Sequence, residues 1–298
     1  MGGTLYKTPE GERMLKQLYD RQVEQLGMGH EDLYVATRFG TTHMLKLGNP
    51  KGEPVLLFHG GNSTAPHTLL QSRFLMKDHM VYAPDIIGHP GKSHQRQLSS
   101  NTLAYGQWAS GVIDALGYPS MNCMGGSFGG GILAKLMCVS PEKIRKAVLV
   151  VPSGISNASK SKLIVSMGLP MMMYLATKQE KWFKRAFSPM AIPGEPVDDH
   201  TLEMIRFAFH HVKVNPNMPS NVKKIDMAQY KSPTLLLAGE KDVLFPGEKV
   251  IKRAKELIPH VEAHLLENCG HLYYSSDERL QQMGKIIKEF LANEPKRS

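Results

Sequence analysis

Cysteine is scarce in this sequence, and its pattern limits the sites and settings that the chain can have. Only three cysteines occur, Cys123, Cys138 and Cys269. An odd number at such wide spacing predicts neither a disulfide framework nor a zinc site. We therefore expect a reducing, cytoplasmic setting for the protein.

Long apolar runs are missing as well. No stretch of about 18 consecutive apolar residues occurs, so we expect no membrane-spanning helix. Residues 1–10 are polar and lack the apolar segment of a secretory signal, and we expect no such signal.

Acidic residues are outnumbered by basic ones, 27 against 36, which gives a net charge of +9. The basic residues are spread along the chain, with short clusters such as Lys181, Lys184 and Arg185, and no nucleic-acid-binding motif accompanies them. A solvated surface explains such a distribution, so we expect no nucleic-acid partner. With 298 residues, 42% of them hydrophobic, the chain can form one large domain that carries an insertion.

The order of apolar and helical segments predicts an α/β fold. A helix over 11–28 precedes a hairpin of strands 32–37 and 41–47. Short apolar runs then alternate with helical stretches at 101–116, 129–139 and 247–258, as in a mostly parallel sheet covered by helices on both faces. The apolar runs are 54–58, 80–83, 121–124, 147–151, 234–238 and 261–266.

The gap between the fourth and fifth of these runs is too long for a simple crossover. It is rich in methionine, proline and aromatic residues, and it predicts a mostly helical insertion at 153–222. The remaining parts, 1–152 and 223–298, would then form the core domain.

Gly125-Gly126-Ser127-Phe128-Gly129 is the strongest chemical signal in the sequence. It has the form G-x-S-x-G, follows an apolar strand and precedes a helix, as in a nucleophile elbow. Small residues on either side let the chain turn sharply and expose the serine. The pattern predicts that Ser127 is a catalytic nucleophile.

A serine needs a base and an orienting acid, which follow it in the order acid, then histidine. His271 comes after the last predicted strand behind Gly270, which lets the loop turn sharply. Asp242 follows the strand before it and would orient His271. Glu240 is a competing carboxylate in the same loop, nearer the strand end.

An oxyanion hole requires two backbone amides. One is predicted at Phe128, in the first turn after the elbow. The other is predicted at Gly61, with Asn62 as the second choice, because the glycines after the strand at 54–58 let an amide approach the substrate. We expect the neighbouring His59 to brace this loop.

Other polar clusters predict no further chemistry. Asp85, His89 and His94 do not have a metal-ligand spacing, so no metal site is expected. We expect His210 and His211 to lie on a helix surface and the cysteines to play no nucleophilic part.

Taken together, the segments His59-Gly60-Gly61, 85–93, 125–129, Asp242 and Gly270-His271 resemble the α/β-hydrolase superfamily. The resemblance implies an eight-stranded sheet with a helical lid inserted after strand 6, at 153–222, and no cofactor. It also implies a choice among esterase, lipase, C–C hydrolase, epoxide hydrolase, dehalogenase and peroxidase activities.

Three details narrow this choice. Ser127 stands where dehalogenases and epoxide hydrolases carry an aspartate nucleophile, and Leu272 stands where many C–C hydrolases and epoxide hydrolases have tryptophan. The hairpin at 34–43 also resembles the opening of Bacillus-type carboxylesterases that act on aryl-propionic esters.

These observations predict a serine hydrolase that cleaves carboxylic esters through an acyl-enzyme on Ser127. The alternatives are a C–C hydrolase of the same fold and a signalling receptor that keeps the triad but binds its ligand. We expect a small ester with an apolar acyl or aryl group, with Met171 and Met172 lining its pocket, although both methionines could instead belong to the lid's own core.

Overall fold

A computed structural model of the chain describes residues 4–159, 164–195, 197–273 and 277–293. Its centre is an eight-stranded sheet in the order β1-β2-β4-β3-β5-β6-β7-β8. The strands are β1 His30–Thr37, β2 Gly40–Gly48, β3 Glu53–Phe58, β4 His79–Pro84, β5 Met121–Gly126, β6 Ile144–Val150, β7 Thr234–Gly239 and β8 Val261–Leu266.

Only the first hairpin departs from parallel pairing. β1 pairs antiparallel with β2, and β2 pairs antiparallel with β4, whereas every pairing from β4 through β8 is parallel. β1 lies at the edge and is largely exposed, while β3 to β7 are buried along most of their length. This difference explains why the inner strands have continuous apolar sequences.

Helices cover both faces of the sheet. One core cluster joins the sheet to α3, α4 and α8, and the other joins it to α1, α2 and α9. The described α-helices are α1 Pro9–Gln25, α2 Ala65–Gln71, α3 Ala104–Leu116, α4 Phe128–Val139, α5 Leu169–Thr177, α6 Glu180–Phe187, α7 Asp199–His211, α8 Gly247–Leu257 and α9 Asp277–Ala292.

Three of these helices, α5 to α7, lie between β6 and β7, in the predicted insertion. Tyr174, Phe183 and Leu202 form a small apolar cluster of their own. Helix α7 also packs against α1, through Met204 and Phe207. The segment is thus helical, and the bounds 153 and 222 and the action of the segment as a lid stay predictions.

The mostly parallel eight-stranded sheet confirms the predicted fold class. Helices α2 and α9 were not predicted: α2 is short, and the serine and acidic residues at 275–278, a helix-starting signal for α9, were overlooked. Across the described ranges, no helix combines the length and the apolar character needed to cross a bilayer.

Helix α9 is held to the sheet by a buried lysine. The Nζ of Lys146, on β6, donates to the carbonyls of Phe290 at 3.1 Å and of Leu291 at 2.6 Å, and also to that of Asn293. A cation at the C-terminal end of a helix is favourable because that end carries partial negative charge. The contact therefore fastens the end of α9 to the centre of the fold.

Candidate active site

The chain reverses sharply between β5 and α4, with Ser127 at the turn. Ser127 has φ 51° and ψ −117°, in the positive-φ region that few residues other than glycine adopt. A Cβ on Gly125 would come within 2.4 Å of the Gly129 carbonyl oxygen, and one on Gly129 would come within 2.4 Å of the Phe58 carbonyl oxygen. Both glycines are therefore required for this turn, which holds the serine at the N-terminus of α4.

Ser127 is joined to His271 and Asp242 by a chain of hydrogen bonds. The Oγ of Ser127 lies 2.9 Å from His271 Nε2, and His271 Nδ1 lies 2.9 Å from Asp242 Oδ2. With Nδ1 protonated, His271 donates to the carboxylate and accepts the serine proton at Nε2. The structure thus brings together the three predicted triad residues with the geometry that a nucleophile, a base and an orienting acid need.

The carboxylate of Asp242 is fixed from its other side. Its Oδ1 accepts hydrogen bonds from the amides of Leu244, at 2.8 Å, and Phe245, at 3.0 Å. The ring of Phe245 meets the ring of His271 edge-on, with the centroids 5.2 Å apart. These contacts leave Oδ2 free to orient His271.

Glu240, the competing carboxylate, has different partners. Its Oε2 accepts from the amide of Asn268 at 2.8 Å, and its Oε1 pairs with Lys241 at 2.9 Å. The hydrogen bond from Asn268, with that from Lys241, lowers the pKa of Glu240. Glu240 therefore ties the Asp242 loop to the His271 loop.

The loop after β3 packs directly against the elbow. A Cβ built on Gly61 would lie 3.3 Å from the Cβ of Phe128, and one on Gly60 would lie 3.9 Å from the Cβ of Ser127. The structure therefore places the backbone of the predicted donors Gly61 and Phe128 side by side, next to the nucleophile.

Asn62, the second choice as a donor, has an additional contact that the sequence did not indicate. It has φ 54°, and its side chain forms two hydrogen bonds with the backbone of Asn215. Asn215 lies in the segment that leads from α7 back to β7. No local sequence pattern links two positions 153 apart in the chain.

His59 braces the loop, as expected. Its Nδ1 lies 2.7 Å from the carbonyl oxygen of Gly60, and its Nε2 accepts the amide of Ile86 at 2.9 Å. Burial lowers the pKa of His59, so the ring stays neutral and keeps both bonds.

Asp85 takes part in a hydrogen-bond network with His43 and Asp32. Its Oδ2 lies 2.9 Å from Nδ1 of His43, whose Nε2 lies 2.7 Å from Oδ1 of Asp32. Burial lowers the pKa of His89 to about 3, and its ring packs 4.5 Å from that of Phe128. Among the described residues no cluster of three or more His, Cys, Asp or Glu side chains could hold a metal ion.

The cysteine thiols lie apart from this chemistry. Burial raises the pKa of Cys123 and of Cys138 to about 12, and burial also raises that of Cys269. All three cysteines are free. Thiols that stay protonated are poor nucleophiles, in agreement with the expectation.

A cavity of about 400 Å³ opens above Ser127 and His271. Its lining is mainly apolar and comes from the sheet edge, the loop after β3 and the helices between β6 and β7. The apolar lining residues include Met124, Met167, Phe187, Met190, Met204, Ile205, Phe209, Val214, Met218 and Leu244.

Met171 and Met172 are not among the lining residues, which corrects the expectation that they line the pocket. Met172 is 66% exposed, and Met171 packs against the cluster of Tyr174, Phe183 and Leu202. Both lie on α5, whereas Met167 lies just before that helix and does reach the cavity. The number of methionines in this segment could not tell which of them face inward.

The sheet order and the serine turn between β5 and α4 define an α/β-hydrolase fold. A family model described as alpha/beta hydrolase fold matches residues 53–179. The chain is thus a protein of the α/β-hydrolase fold.

Comparison with individual proteins gives matches along nearly the whole chain. The carboxylesterase YbfK of Bacillus subtilis is 24% identical over 92% of this chain and 92% of its own length, and its crystal structure matches with a TM-score of 0.79. The crystal structure of naproxen esterase from Bacillus subtilis, 20% identical, covers 96% of this chain and 99% of that chain with a TM-score of 0.77. A 2-hydroxymuconate semialdehyde hydrolase of Pseudomonas putida is 25% identical over 81% of this chain and 88% of its own length.

Proposed function

We propose that this protein is a serine hydrolase that cleaves carboxylic esters through an acyl-enzyme on Ser127. The observation that carries the proposal is the hydrogen-bonded chain from Ser127 through His271 to Asp242, at 2.9 Å for each step. Similarity to two proteins named as esterases supports the choice of ester among the bonds that such a site can cleave.

In the first half-reaction, His271 Nε2 takes the proton from Ser127 Oγ as that oxygen attacks the ester carbonyl. The backbone amides of Gly61 and Phe128 hold the negative charge that develops on the carbonyl oxygen, and the N-terminus of α4 adds to this field. Asp242 stabilises the imidazolium that forms. His271 then gives the proton to the leaving alcohol, and the acyl group stays on Ser127.

In the second half-reaction, water takes the place of the alcohol. His271 removes a proton from the water as the water oxygen attacks the acyl-enzyme, and the same amides hold the second oxyanion. The acid leaves as the proton returns to Ser127 Oγ. Each proton therefore moves through the single nitrogen that faces the serine.

The cavity supports a small substrate with a mainly apolar body. Its volume of about 400 Å³ lies in the range of small-molecule sites, and its wall is formed largely of methionine, phenylalanine and aliphatic side chains. Methionine adapts to irregular apolar shapes. We infer an ester with an apolar acyl or aryl group.

A C–C hydrolase is the second candidate. The 2-hydroxymuconate semialdehyde hydrolase of Pseudomonas putida, which matches 81% of the chain, supports it. It would use the same serine chain on a dienone-type substrate. Leu272, where many such enzymes have tryptophan, is the feature against it.

The deciding experiment measures p-nitrophenol release from acetate, butyrate and octanoate esters by the intact protein and by Ser127→Ala. We expect kcat to be about 10⁶-fold lower for Ser127→Ala than for the intact protein, and the thermal unfolding of the variant to be unchanged. Equal rates for both proteins would overturn the proposal. Turnover of a dienone without turnover of esters would favour the C–C hydrolase, and stoichiometric binding without turnover would favour a receptor.

We also infer a cytoplasmic location. All three cysteines are free, which suits a reducing compartment. Cell fractionation tests this inference, and recovery outside the cytoplasmic fraction would contradict it.

A further inference from the structure

Three largely buried polar side chains belong to the lining of the mainly apolar cavity. Ser63 lies just beyond Gly61, His67 lies on α2, and Thr201 lies on α7; all three line the cavity. His67 is 6% exposed and Thr201 is 2% exposed. Two different parts of the fold, the core and the helices between β6 and β7, therefore contribute polar side chains to the wall of the pocket.

Each of these side chains has a buried polar atom with no hydrogen-bond partner among the described residues. The atoms are Ser63 Oγ, His67 Nδ1 and Thr201 Oγ1. An unsatisfied buried polar atom costs about 1–3 kcal/mol, so proteins seldom keep several together. Each of these atoms has less than 1 Å² of accessible surface, so a small rotation of its side chain toward the cavity would bring it to a hydrogen-bonding group of the substrate.

The hydrogen-bonding role of His67 Nδ1 is fixed by the partner of Nε2, the second ring nitrogen. Gln71 Nε2 lies 3.0 Å from His67 Nε2 and donates to it, which leaves Nδ1 as the N–H donor. Burial lowers the pKa of His67 to about 4, and the nearby charge of Asp198 opposes this only in part. At neutral pH the ring is therefore an uncharged donor.

The charges around this region favour an uncharged partner. None of the described lining residues is a lysine or an arginine. The carboxylate of Asp198, at the start of α7, caps the amide of Thr201 at 2.9 Å. A carboxylate on the substrate would lie near this negative charge without a cation to balance it.

We propose that Ser63, His67 and Thr201 form a polar subsite that binds a second, neutral oxygen group of the substrate, such as a ketone or a hydroxyl, apart from the scissile ester. This inference rests on the proposed function and narrows it. The substrate class becomes esters that combine an apolar body with one hydrogen-bond-accepting oxygen.

The test uses matched pairs of esters followed by pH-stat. One series compares methyl octanoate with its 3-oxo, 4-oxo, 5-oxo, 6-oxo and 7-oxo derivatives. The other compares butyrate esters of simple alkanols with those of keto-alcohols of the same length. We expect kcat/KM for at least one oxo ester to exceed that of its methylene counterpart by about tenfold, the value of one good hydrogen bond.

Thr201→Val and His67→Phe remove the polar atoms with little change in side-chain shape. In each of these variants, the ratio of kcat/KM for the oxo ester to that for its methylene counterpart should fall toward one. Thr177→Val should leave this ratio unchanged. Thr177 is an exposed residue of α5 that does not line the cavity; its hydroxyl donates to the carbonyl of Met173 and accepts the amide of Gln179. Absence of preference in both series, or a preference that both variants keep, would overturn the subsite.

A binding measurement separates this inference from the proposed function. Calorimetric titration of the Ser127→Ala variant with the preferred oxo ester and its counterpart should show the same preference in Kd. Preferential binding in a protein that hydrolyses no ester would refute the esterase and keep the subsite. Ester hydrolysis with equal Kd for both compounds would refute the subsite and keep the esterase.

Discussion

Asn62 and Asn215 are joined by two hydrogen bonds that run in opposite directions. The Nδ2 of Asn62 donates to the carbonyl of Asn215 at 3.2 Å, and the amide of Asn215 donates to Oδ1 of Asn62 at 3.3 Å. Asn62 directly follows the predicted oxyanion donor Gly61. The pair therefore couples the position of that donor to the segment that leaves the helices between β6 and β7.

Breaking this pair should affect both partners. In Asn62→Gly the backbone keeps its φ of 54° without strain while both hydrogen bonds are lost. We expect kcat/KM for p-nitrophenyl butyrate to fall by about tenfold, because a misplaced oxyanion donor weakens transition-state binding. Hydrogen exchange at the amides of 213–217 should become faster.

Lys178→Gly is the matched control for Asn62→Gly. Lys178 also has positive φ, 56°, but it lies at the exposed end of α5. It should keep wild-type kinetics and exchange at 213–217. Unchanged activity and exchange in Asn62→Gly would show that the pair has no part in positioning the loop.

The two carboxylates of the loop after β7 should differ sharply in their effect on catalysis. Asp242→Asn should lower kcat by about 10⁴-fold, because the amide favours the wrong tautomer of His271. Glu240→Gln should stay within about threefold of wild type, because Glu240 contacts Asn268 and Lys241 instead. Steady-state kinetics of both variants test this prediction. A larger loss of kcat in Glu240→Gln than in Asp242→Asn would assign the role of acid to Glu240.

Met167 and Met172, five residues apart, should differ in their effect on the preference for acyl-chain length. Met167 lines the cavity and Met172 is exposed. Met167→Ser should lower the ratio of octanoate to acetate hydrolysis severalfold, because about 25 cal/mol is lost for each Å² of apolar contact removed. Met172→Ser should leave the ratio unchanged. A shift caused by Met172→Ser alone would restore the role that its sequence position first suggested.

Buried neutral histidines should make the protein less stable in acid. Burial lowers the pKa of His59, His67 and His89, to about 4 for His67 and about 3 for His89. In the unfolded chain these rings take up protons near pH 6.5, so below that pH the unfolded state binds more protons. The contribution of these neutral rings to the free energy of unfolding is therefore fully present above pH 6.5. It decreases toward pH 4, by up to about 1.4 kcal/mol per pH unit for each ring.

Thermal unfolding between pH 7.5 and pH 4.5 measures this slope. His89→Phe should reduce it, since one of the three rings no longer binds a proton on unfolding. His260→Phe is the control, because His260 is exposed and should not alter the slope. A Tm that stays constant across this range would contradict the assignment of the buried rings as neutral.

The strand and elbow signals were local and therefore visible in the sequence. Ser127 and Asp242 each follow a buried strand, His271 follows the partly exposed edge strand β8, and parallel strands bring their ends together at one edge of the sheet. Spacing alone also separated Asp242 from Glu240, and the structure finds only Asp242 at hydrogen-bond distance from His271. Their catalytic roles remain a proposal that activity measurements must test.

Features that depend on packing between distant segments could not be predicted. Whether Met167 or Met172 faces the cavity depends on how α5 lies against the core, and the sequence shows no clear apolar stripe there. The pairing of Asn62 with Asn215, and the presence of His67 and Thr201 in the wall of one cavity, also involve segments far apart in the chain. Such contacts are set by tertiary structure and leave no periodic pattern.

The buried lysine of β6 has a consequence for synthesis of the protein in the cell. Three of the acceptors of Lys146 lie 144 to 147 residues later in the chain, at the end of α9. A ribosome must therefore release that helix before the centre of the sheet can reach its final bonding. We therefore expect a chain cut short before Phe290 to be less stable than the intact protein, because the ammonium of Lys146 would lose these acceptors while staying inside the fold.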